Sequence, residues 1–232
     1  MKRIGHKGAD GVVPGNTLES FDAAVELGVD MIELDVLRTR DGRLVVAHDY
    51  GDAAGRVPLT LDEGLDAFTR PPLDGVELDC DLKLPGREGD LAGALADHGL
   101  LERAMVSTME ISSIERLREI RPELRLGWTY PKVIRDWNSR RWARPAVLGA
   151  LVVMRRRLPR IAASTLPRFG VRAMWVYWPL VTLRLVETTE SAGVELFAWT
   201  VDERDRMRAL RELGVDGICS NDPRLFADLA PG

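Results

Sequence analysis

The sequence predicts an α/β fold, a (β/α)8 barrel, and three observations carry that expectation. Short β-branched runs alternate with amphipathic stretches along the chain, the pattern of βαβ units around a parallel sheet. The chain has 232 residues, close to the roughly 250 that one such barrel fills. Hydrophobic residues make up 45% and charged residues 29%, which excludes a disordered, collagen-like or disulfide-stapled chain. Nothing resembles an interdomain linker, so residues 1–232 are read as one domain.

Strands are expected at 2–6, 31–36, 44–48, 76–82, 104–107, 124–128, 173–177, 195–200 and 215–219. Helices are expected at 17–27, 61–68, 90–97, 111–120, 145–157, 181–192 and 203–213. The first strand ends in Gly5-His6-Lys7-Gly8, and a histidine at the C-terminal end of a barrel strand sits where catalytic groups gather. The first helix opens on Thr17-Leu18-Glu19-Ser20 and closes on Gly28, which tolerates the left-handed backbone past a helix end.

Nine strands compete for eight barrel places, and one connection identifies the extra strand. Residues 37–43 are too few for a parallel crossover, which needs about a dozen or more. Asp41-Gly42 is a hairpin signal. The 44–48 segment is therefore expected to fold back antiparallel on the second strand. A turn centred on Arg40-Asp41 would set His48 opposite Glu33 and Val46 opposite Asp35.

Alternation puts Glu33 and Asp35 on one face of the second strand, with Ile32, Leu34 and Val36 on the other. Two carboxylates in a barrel mouth repel each other unless a cation compensates, and a hard divalent cation suits oxygen ligands. Glu77, Asp79, Asp81 and Lys83 likewise share a face, which borders a site or carries a polar network. Ser107 and Trp128 end strands and are expected at the mouth. Tyr177 and Trp178 end another. His98 precedes Gly99 at a helix end and reads as structural.

Cys80 and Cys219 lie apart in apolar runs and read as buried thiols of a reducing compartment. The N-terminus carries no apolar signal region. The longest apolar run, 146–154, is about half a membrane span. A soluble, cytoplasmic protein is expected. From Lys132 to Arg172 eleven Lys/Arg face one acid, Asp136. The remainder of a chain of net charge −4 thus carries a formal −14. The basic stretch reads as a solvated helical insertion, with no nucleic-acid partner. The 145–157 helix is expected to pack its apolar residues on the strands while its arginines snorkel. Peripheral contact of this Arg-rich stretch with an anionic membrane is the alternative.

Gly5-His6-Lys7-Gly8, Pro14-Gly15-Asn16-Thr17-Leu18-Glu19-Ser20-Phe21, Gly28-Val29-Asp30-Met31-Ile32-Glu33-Leu34-Asp35-Val36 and Asp41-Gly42-Arg43-Leu44-Val45-Val46-Ala47-His48-Asp49 resemble the glycerophosphodiester phosphodiesterase family. Ala198-Trp199-Thr200-Val201-Asp202 and Gly214-Val215-Asp216-Gly217-Ile218 resemble its closing segments. The likeness is tight over 1–49 and 194–223 and loose from about 85 to 190.

The resemblance implies a TIM barrel and metal-dependent hydrolysis of glycerophosphodiesters to sn-glycerol 3-phosphate and an alcohol. By it His6 and His48 fall on the acid/base pair, and Glu33, Asp35 and Asp81 on the ligands of Mg²⁺ or Ca²⁺. Asp79, on the same face as Asp81, is a rival third ligand. Lys83 falls on a catalytic, phosphate-contacting lysine, and Lys7 on a phosphate contact that is usually Arg. Trp199 resembles a tryptophan near the glycerol pocket, with Trp128 and Tyr177 as further lining. The family's nucleophile is the substrate's own 2-hydroxyl. Three departures stand out: Lys7 for Arg, Gly15 where Glu is common, and Asp81 for Glu. Two alternatives compete: a lysophospholipid-directed phosphodiesterase or phospholipase D-like lyase at a membrane surface, and a barrel that binds phosphate compounds without turnover.

Overall fold

The computed structural model describes residues 1–132, 144–227 and 229. Eight parallel strands form a ring: β1 (Lys2–His6), β2 (Met31–Arg38), β4 (Glu77–Leu82), β5 (Ala104–Thr108), β6 (Arg125–Tyr130), β7 (Ala173–Tyr177), β8 (Glu195–Trp199) and β9 (Gly217–Ser220). β1 pairs with both β2 and β9, which closes the barrel. The helices are α1 (Leu18–Glu26), α2 (Tyr50–Gly55), α3 (Leu61–Ala67), α4 (Glu88–Asp97), α5 (Ile111–Ile120), α6 (Arg144–Phe169), α7 (Leu183–Ser191) and α8 (Arg204–Leu213). Their starts follow local chemistry. Thr17 and Thr182 each accept a hydrogen bond from a backbone N–H of the first turn, and Thr60 forms a reciprocal capping box with Glu63. Gly28, at φ 75°, follows α1 as expected. The short α2 was not expected; Asp49 caps it, accepting from the N–H groups of Gly51 and Asp52.

The predicted antiparallel extension is β3 (Leu44–Val46), paired with β2. Its register differs from the expectation by one residue. Val36 faces Val46 and Arg38 faces Leu44, so His48 is not cross-strand from Glu33. The cause is the loop length. Gly42 N–H bonds Thr39 O at 3.0 Å, Thr39 N–H bonds Arg43 O at 2.8 Å, and Gly42 takes φ 88°. This is a three-residue loop closed by a left-handed glycine, not the two-residue turn assumed. A one-residue slip exchanges the faces.

Side chains alternate between two cores. Outward residues such as Leu34, Leu78, Cys80, Val106 and Val176 pack under the helices. Ile4, Met31, Met105, Ala173, Trp175, Phe197 and Cys219 fill the barrel's middle. Gly127 leaves room for the Trp175 indole, since a Cβ there would lie 2.9 Å from it. Both cysteines are buried free thiols, as expected. Below this layer lie the charged residues Lys2, Glu77, Arg125 and Glu195; above it lies the mouth.

Helix α6 corrects a second expectation. It continues well past residue 157 to Phe169, and its packed residues are Leu158, Ala162, Leu166 and Phe169. Among the described side chains of the 145–157 stretch, Leu151 and Met154 reach the core, both half-buried. Leu148, Val152 and Val153 are exposed instead of packing on the strands. The part of the basic stretch at 133–143 lies outside the described residues. Among the described residues no helix is long and apolar enough to cross a membrane.

Candidate active site

One edge of β2 organises the mouth. β1 runs parallel along that edge and ends with His6 level with Glu33. β3 enters the same edge from the opposite direction, and the Ala47 N–H just beyond it bonds Asp35 O at 3.1 Å. The ends of β1 and β3 therefore converge, and His6 and His48 line one cavity. On the other edge β4 sets Asp79 level with Glu33 and Asp81 level with Asp35. His6 and His48 thus come to one cavity through the convergence of strand ends, not through the cross-strand pairing expected.

The cavity holds about 230 Å³. Its wall includes Glu33, Asp79, Asp81 and Lys83. Lys83 forms ion pairs with both Asp35 and Asp81. Asp35 is fully buried, yet Lys83, His48 and His6 hold its carboxyl well below the usual range against the effect of burial. Burial, together with the charge of Asp35, pushes Glu33 well above that range, although Lys83 opposes the shift. Burial raises Asp79 as well, against a 2.7 Å hydrogen bond donated by Ser107. Burial alone would lower the Lys83 ammonium, but the surrounding carboxylates raise it well above its ordinary value.

Glu33, Asp35 and Asp81 each offer an oxygen within 4.8 Å of the others, the group suited to a cation among the described residues. Asp79 is not part of that group; one of its oxygens is engaged by Ser107. The Oδ1 atoms of Asp35, Asp79 and Asp81 are all buried without a hydrogen-bond partner. Hard oxygen donors, excess negative charge and an unsatisfied buried acceptor together fit a divalent cation.

Several polar groups fix these side chains, and three were missed at the sequence level. Asn16, buried at φ 59°, donates to Asp35 Oδ2 at 2.7 Å and accepts from the Asp35 N–H at 3.1 Å. Asn221 donates from Nδ2 to Asp202 Oδ2 at 2.7 Å, which turns its Oδ1 toward His6 Nδ1 at 2.6 Å. His6 Nδ1 must then carry the proton, so Nε2 faces the cavity, 3.9 Å from Glu33 Oε2. Burial lowers the His6 pKa, with Asp35 pulling the other way. His48 is half exposed, with Nδ1 3.1 Å from Asp49 Oδ2. Asn16 stands in the Pro-x-Asn-Thr segment, where an asparagine able to take a left-handed backbone was the available signal.

Lys7 also has a positive φ, 52°, and its N–H donates to Glu33 Oε2 at 3.0 Å. Its ammonium pairs with Asp10 at 3.3 Å, in a depression beside the cavity that also holds Gly15 and His48. A Cβ at Gly15 would lie 2.5 Å from Asp10 Oδ1 and 2.8 Å from Lys7 Cβ. Gly15 and the Lys7–Asp10 pair thus fit together.

Trp199 and Ser107 line the cavity as expected, joined by Met109, Thr129, Trp175 and Thr200. Trp128 does not. Alternation on β6 turns Gly127 and Thr129 inward and sends Trp128 into the layer under the helices. Tyr177, also expected as lining, is not among the cavity's lining residues; its ring packs 5.7 Å from that of Trp199. His98 bonds Ala94 O at 2.8 Å from a helix end and is structural. Cys219 reaches the cavity, but burial holds its thiol well above the ordinary range, so it is no thiolate nucleophile at neutral pH.

Comparison with known proteins agrees in every direction. The model of the glycerophosphoryl diester phosphodiesterase family matches residues 6–66 and 88–225. A glycerophosphodiester phosphodiesterase of Caldanaerobacter subterraneus subsp. tengcongensis is 30% identical over 260 residues, covering 97% of this chain and 96% of its own. A glycerophosphodiester phosphodiesterase structure from Parabacteroides distasonis superposes with a TM-score of 0.73 at 18% identity, over 95% of this chain and 92% of that one. An Oleispira antarctica phosphodiesterase in complex with its product sn-glycerol-3-phosphate superposes with a TM-score of 0.70 at 18% identity, over 97% and 94%.

Proposed function

This chain belongs to the glycerophosphoryl diester phosphodiesterase family, and from that premise we propose that it hydrolyses water-soluble glycerophosphodiesters to sn-glycerol 3-phosphate and an alcohol, with a divalent cation. The observation that carries this reading is the convergence of His6 and His48 beside the Glu33–Asp35–Asp81 cluster.

Each residue has a role set by its surroundings. Glu33, Asp35 and Asp81 hold the cation, Mg²⁺ or Ca²⁺. When bound, it offsets the negative charge that develops on the phosphoryl oxygens. Lys83 adds a fixed positive charge at the same place. Asn221, itself held by Asp202, keeps the His6 proton on Nδ1, leaving Nε2 free to accept a proton from the attacking hydroxyl. A lowered pKa keeps that ring neutral near pH 7. His48, half exposed at the other side, donates to the departing alcohol. The substrate's own 2-hydroxyl is the nucleophile, so no serine or cysteine is required of the chain. It attacks phosphorus as the alcohol leaves. The resulting cyclic phosphodiester is opened by water, with His48 now taking the water's proton and His6 returning its proton to the 2-oxygen, to give sn-glycerol 3-phosphate. Trp199, backed by Tyr177, bounds the pocket for the organic part of the substrate. Lys7 meets the phosphate after leaving Asp10.

A lysophospholipid-directed enzyme could use the same Asp81-x-Lys83 pair and the basic stretch, but the names of the relatives favour glycerophosphodiesters. The test is release of sn-glycerol 3-phosphate from glycerophosphocholine by protein stripped with EDTA, then given Mg²⁺, Ca²⁺ or Mn²⁺ separately. Product is expected only with metal. Turnover without any metal, or none with all three, would overturn the reading.

A further inference from the structure

Helix α6 carries a surface that the catalytic reading does not use. Its 26 residues extend for about 39 Å at 1.5 Å per residue. Its neighbours α5 and α7 have ten and nine residues. Among the described side chains, the buried residues of α6, Leu158, Pro159, Ala162, Leu166 and Phe169, all lie in its C-terminal half. Because α6 follows β6 and leads into β7, its N-terminal end lies on the mouth side of the barrel. The surplus length therefore projects past the strand ends, on the face where the active site opens.

That overhang is both apolar and basic. Leu148, Val152 and Val153 are 63%, 51% and 49% exposed. One to two turns nearer the barrel, Arg155, Arg156, Arg157 and Arg160 are exposed, and α6 contains no Asp or Glu. None of these four arginines has an acidic partner among the described residues. Leu148 and Arg155 are about 10 Å apart along the helix axis. With Leu148 leading and Val152 and Val153 within about 5 Å of Arg155 along the axis, the long arginine side chains can reach lipid phosphates while the apolar residues enter the interface.

We propose that the α6 overhang docks peripherally on an anionic phospholipid surface, with Leu148, Val152 and Val153 entering the bilayer interface and Arg155, Arg156 and Arg157 meeting lipid phosphates. Charge complementarity selects the partner, since the rest of the chain is acidic and, among the described residues, Arg155, Arg156, Arg157 and Arg160 form a run of cations without acidic partners. The apolar tip selects lipid over nucleic acid, whose backbone offers it nothing to bury against. The contact is superficial, because no described helix can cross a membrane. It turns the barrel mouth toward the surface. The proposal does not depend on which diester is hydrolysed.

The test is co-sedimentation of the full chain with vesicles of phosphatidylcholine alone and of phosphatidylcholine mixed with phosphatidylglycerol. Binding is expected only to the mixed vesicles and is lost at high salt, which screens exposed charges. R155Q/R156Q/R157Q should weaken it roughly a hundredfold. L148S/V152S/V153S should weaken it by a smaller factor and leave the salt dependence intact. Hydrolysis of a soluble diester should be unchanged in both variants, which shows that each is folded. Equal binding to both vesicle types, no binding to either, or binding that neither variant weakens would overturn the proposal. So would a dimer, seen by sedimentation velocity without lipid, that L148S/V152S/V153S dissolves, because the face would then belong to a second copy. Retention on duplex DNA without vesicle binding would assign it to nucleic acid.

Discussion

The barrel interior holds two charge clusters, and strand β4 contributes to both. At the base, Glu77 pairs with Lys2 at 3.0 Å and Arg125 at 2.7 Å, and Lys2 also reaches Glu195 at 3.4 Å. Two anions meet two cations. Four residues further along β4, Asp81 joins Glu33, Asp35 and Asp79 around the single ammonium of Lys83. There the anions outnumber the cation. The pKa shifts separate the clusters as well. Lys2 and Arg125 hold Glu77 below the ordinary carboxylate range despite burial, while Glu33 and Asp79 are pushed well above it. The balanced cluster closes the barrel. The unbalanced one is an arrangement that a bound cation would relieve, the usual relation between a site and its scaffold.

The largest expected break between the two ends is in activity. His6→Ala and His48→Ala should each lower kcat roughly 10²–10⁴-fold, the range for losing a proton-transfer group. Lys2→Met at the base should leave kcat unchanged. Assays of sn-glycerol 3-phosphate release, with circular dichroism to verify folding, decide it. Comparable losses at both ends would mean that the clusters are not functionally distinct.

A second contrast is in the response to metal. Cation at about a hundredfold excess over its Kd should stabilise the protein by about 2.7 kcal/mol. For a chain this size that is a rise in Tm of roughly 5–10 °C. Asp81→Asn should abolish the rise and Asp79→Asn should retain it, because Asp79 lies outside the group of three. Thermal scans with and without Ca²⁺ or Mg²⁺ measure this directly. The reverse outcome would make Asp79 the third ligand.

The two ends also differed in how far they could be read from sequence. Period-two alternation placed Glu33, Asp35, Glu77, Asp79, Asp81 and Lys83 on inward faces, because alternation depends only on the strand being a strand. This held even for β4, all of which falls in the stretch between the two blocks matched by the family. The same rule, applied to β6, would have turned Trp128 outward. The hairpin register was missed because it rests on where one glycine takes a left-handed conformation. Asn221 and Asp202 were missed because they come from the far end of the chain, and only barrel closure between β1 and β9 brings them to His6. The α6 overhang depends on helix length relative to strand height, which amphipathic periodicity does not report.

At the base, removing one charge should cost stability without touching chemistry. Glu77→Gln leaves Lys2 and Arg125 partly buried without their shared partner. A loss of about 1–3 kcal/mol is expected, from unpaired groups of that kind. Urea titration measures the loss, and kcat should be unaltered. A variant as stable as the parent would mean that the base cluster is solvated surface rather than closure.

The smallest expected effect is a difference in the sign of pH dependence. Glu77 has a folded pKa below its unfolded value, so its stabilisation is present above the unfolded pKa and is lost as pH falls through the folded one. Glu33 is shifted the other way. Its folded form retains a proton that the unfolded chain releases, so its contribution declines as pH rises above the unfolded value of about 4.5. In metal-free protein, Glu33→Gln should therefore flatten the loss of stability between about pH 5 and 8. Glu77→Gln should instead flatten the loss below about pH 5. Cation should erase the Glu33 effect and leave the Glu77 effect in place, since among the described residues the oxygens grouped to bind it are those of the mouth. Urea midpoints across this pH range, with and without metal, separate the two contributions. If both substitutions shift the profile in the same direction, the mouth and the base are electrostatically alike, and the division between site and scaffold fails.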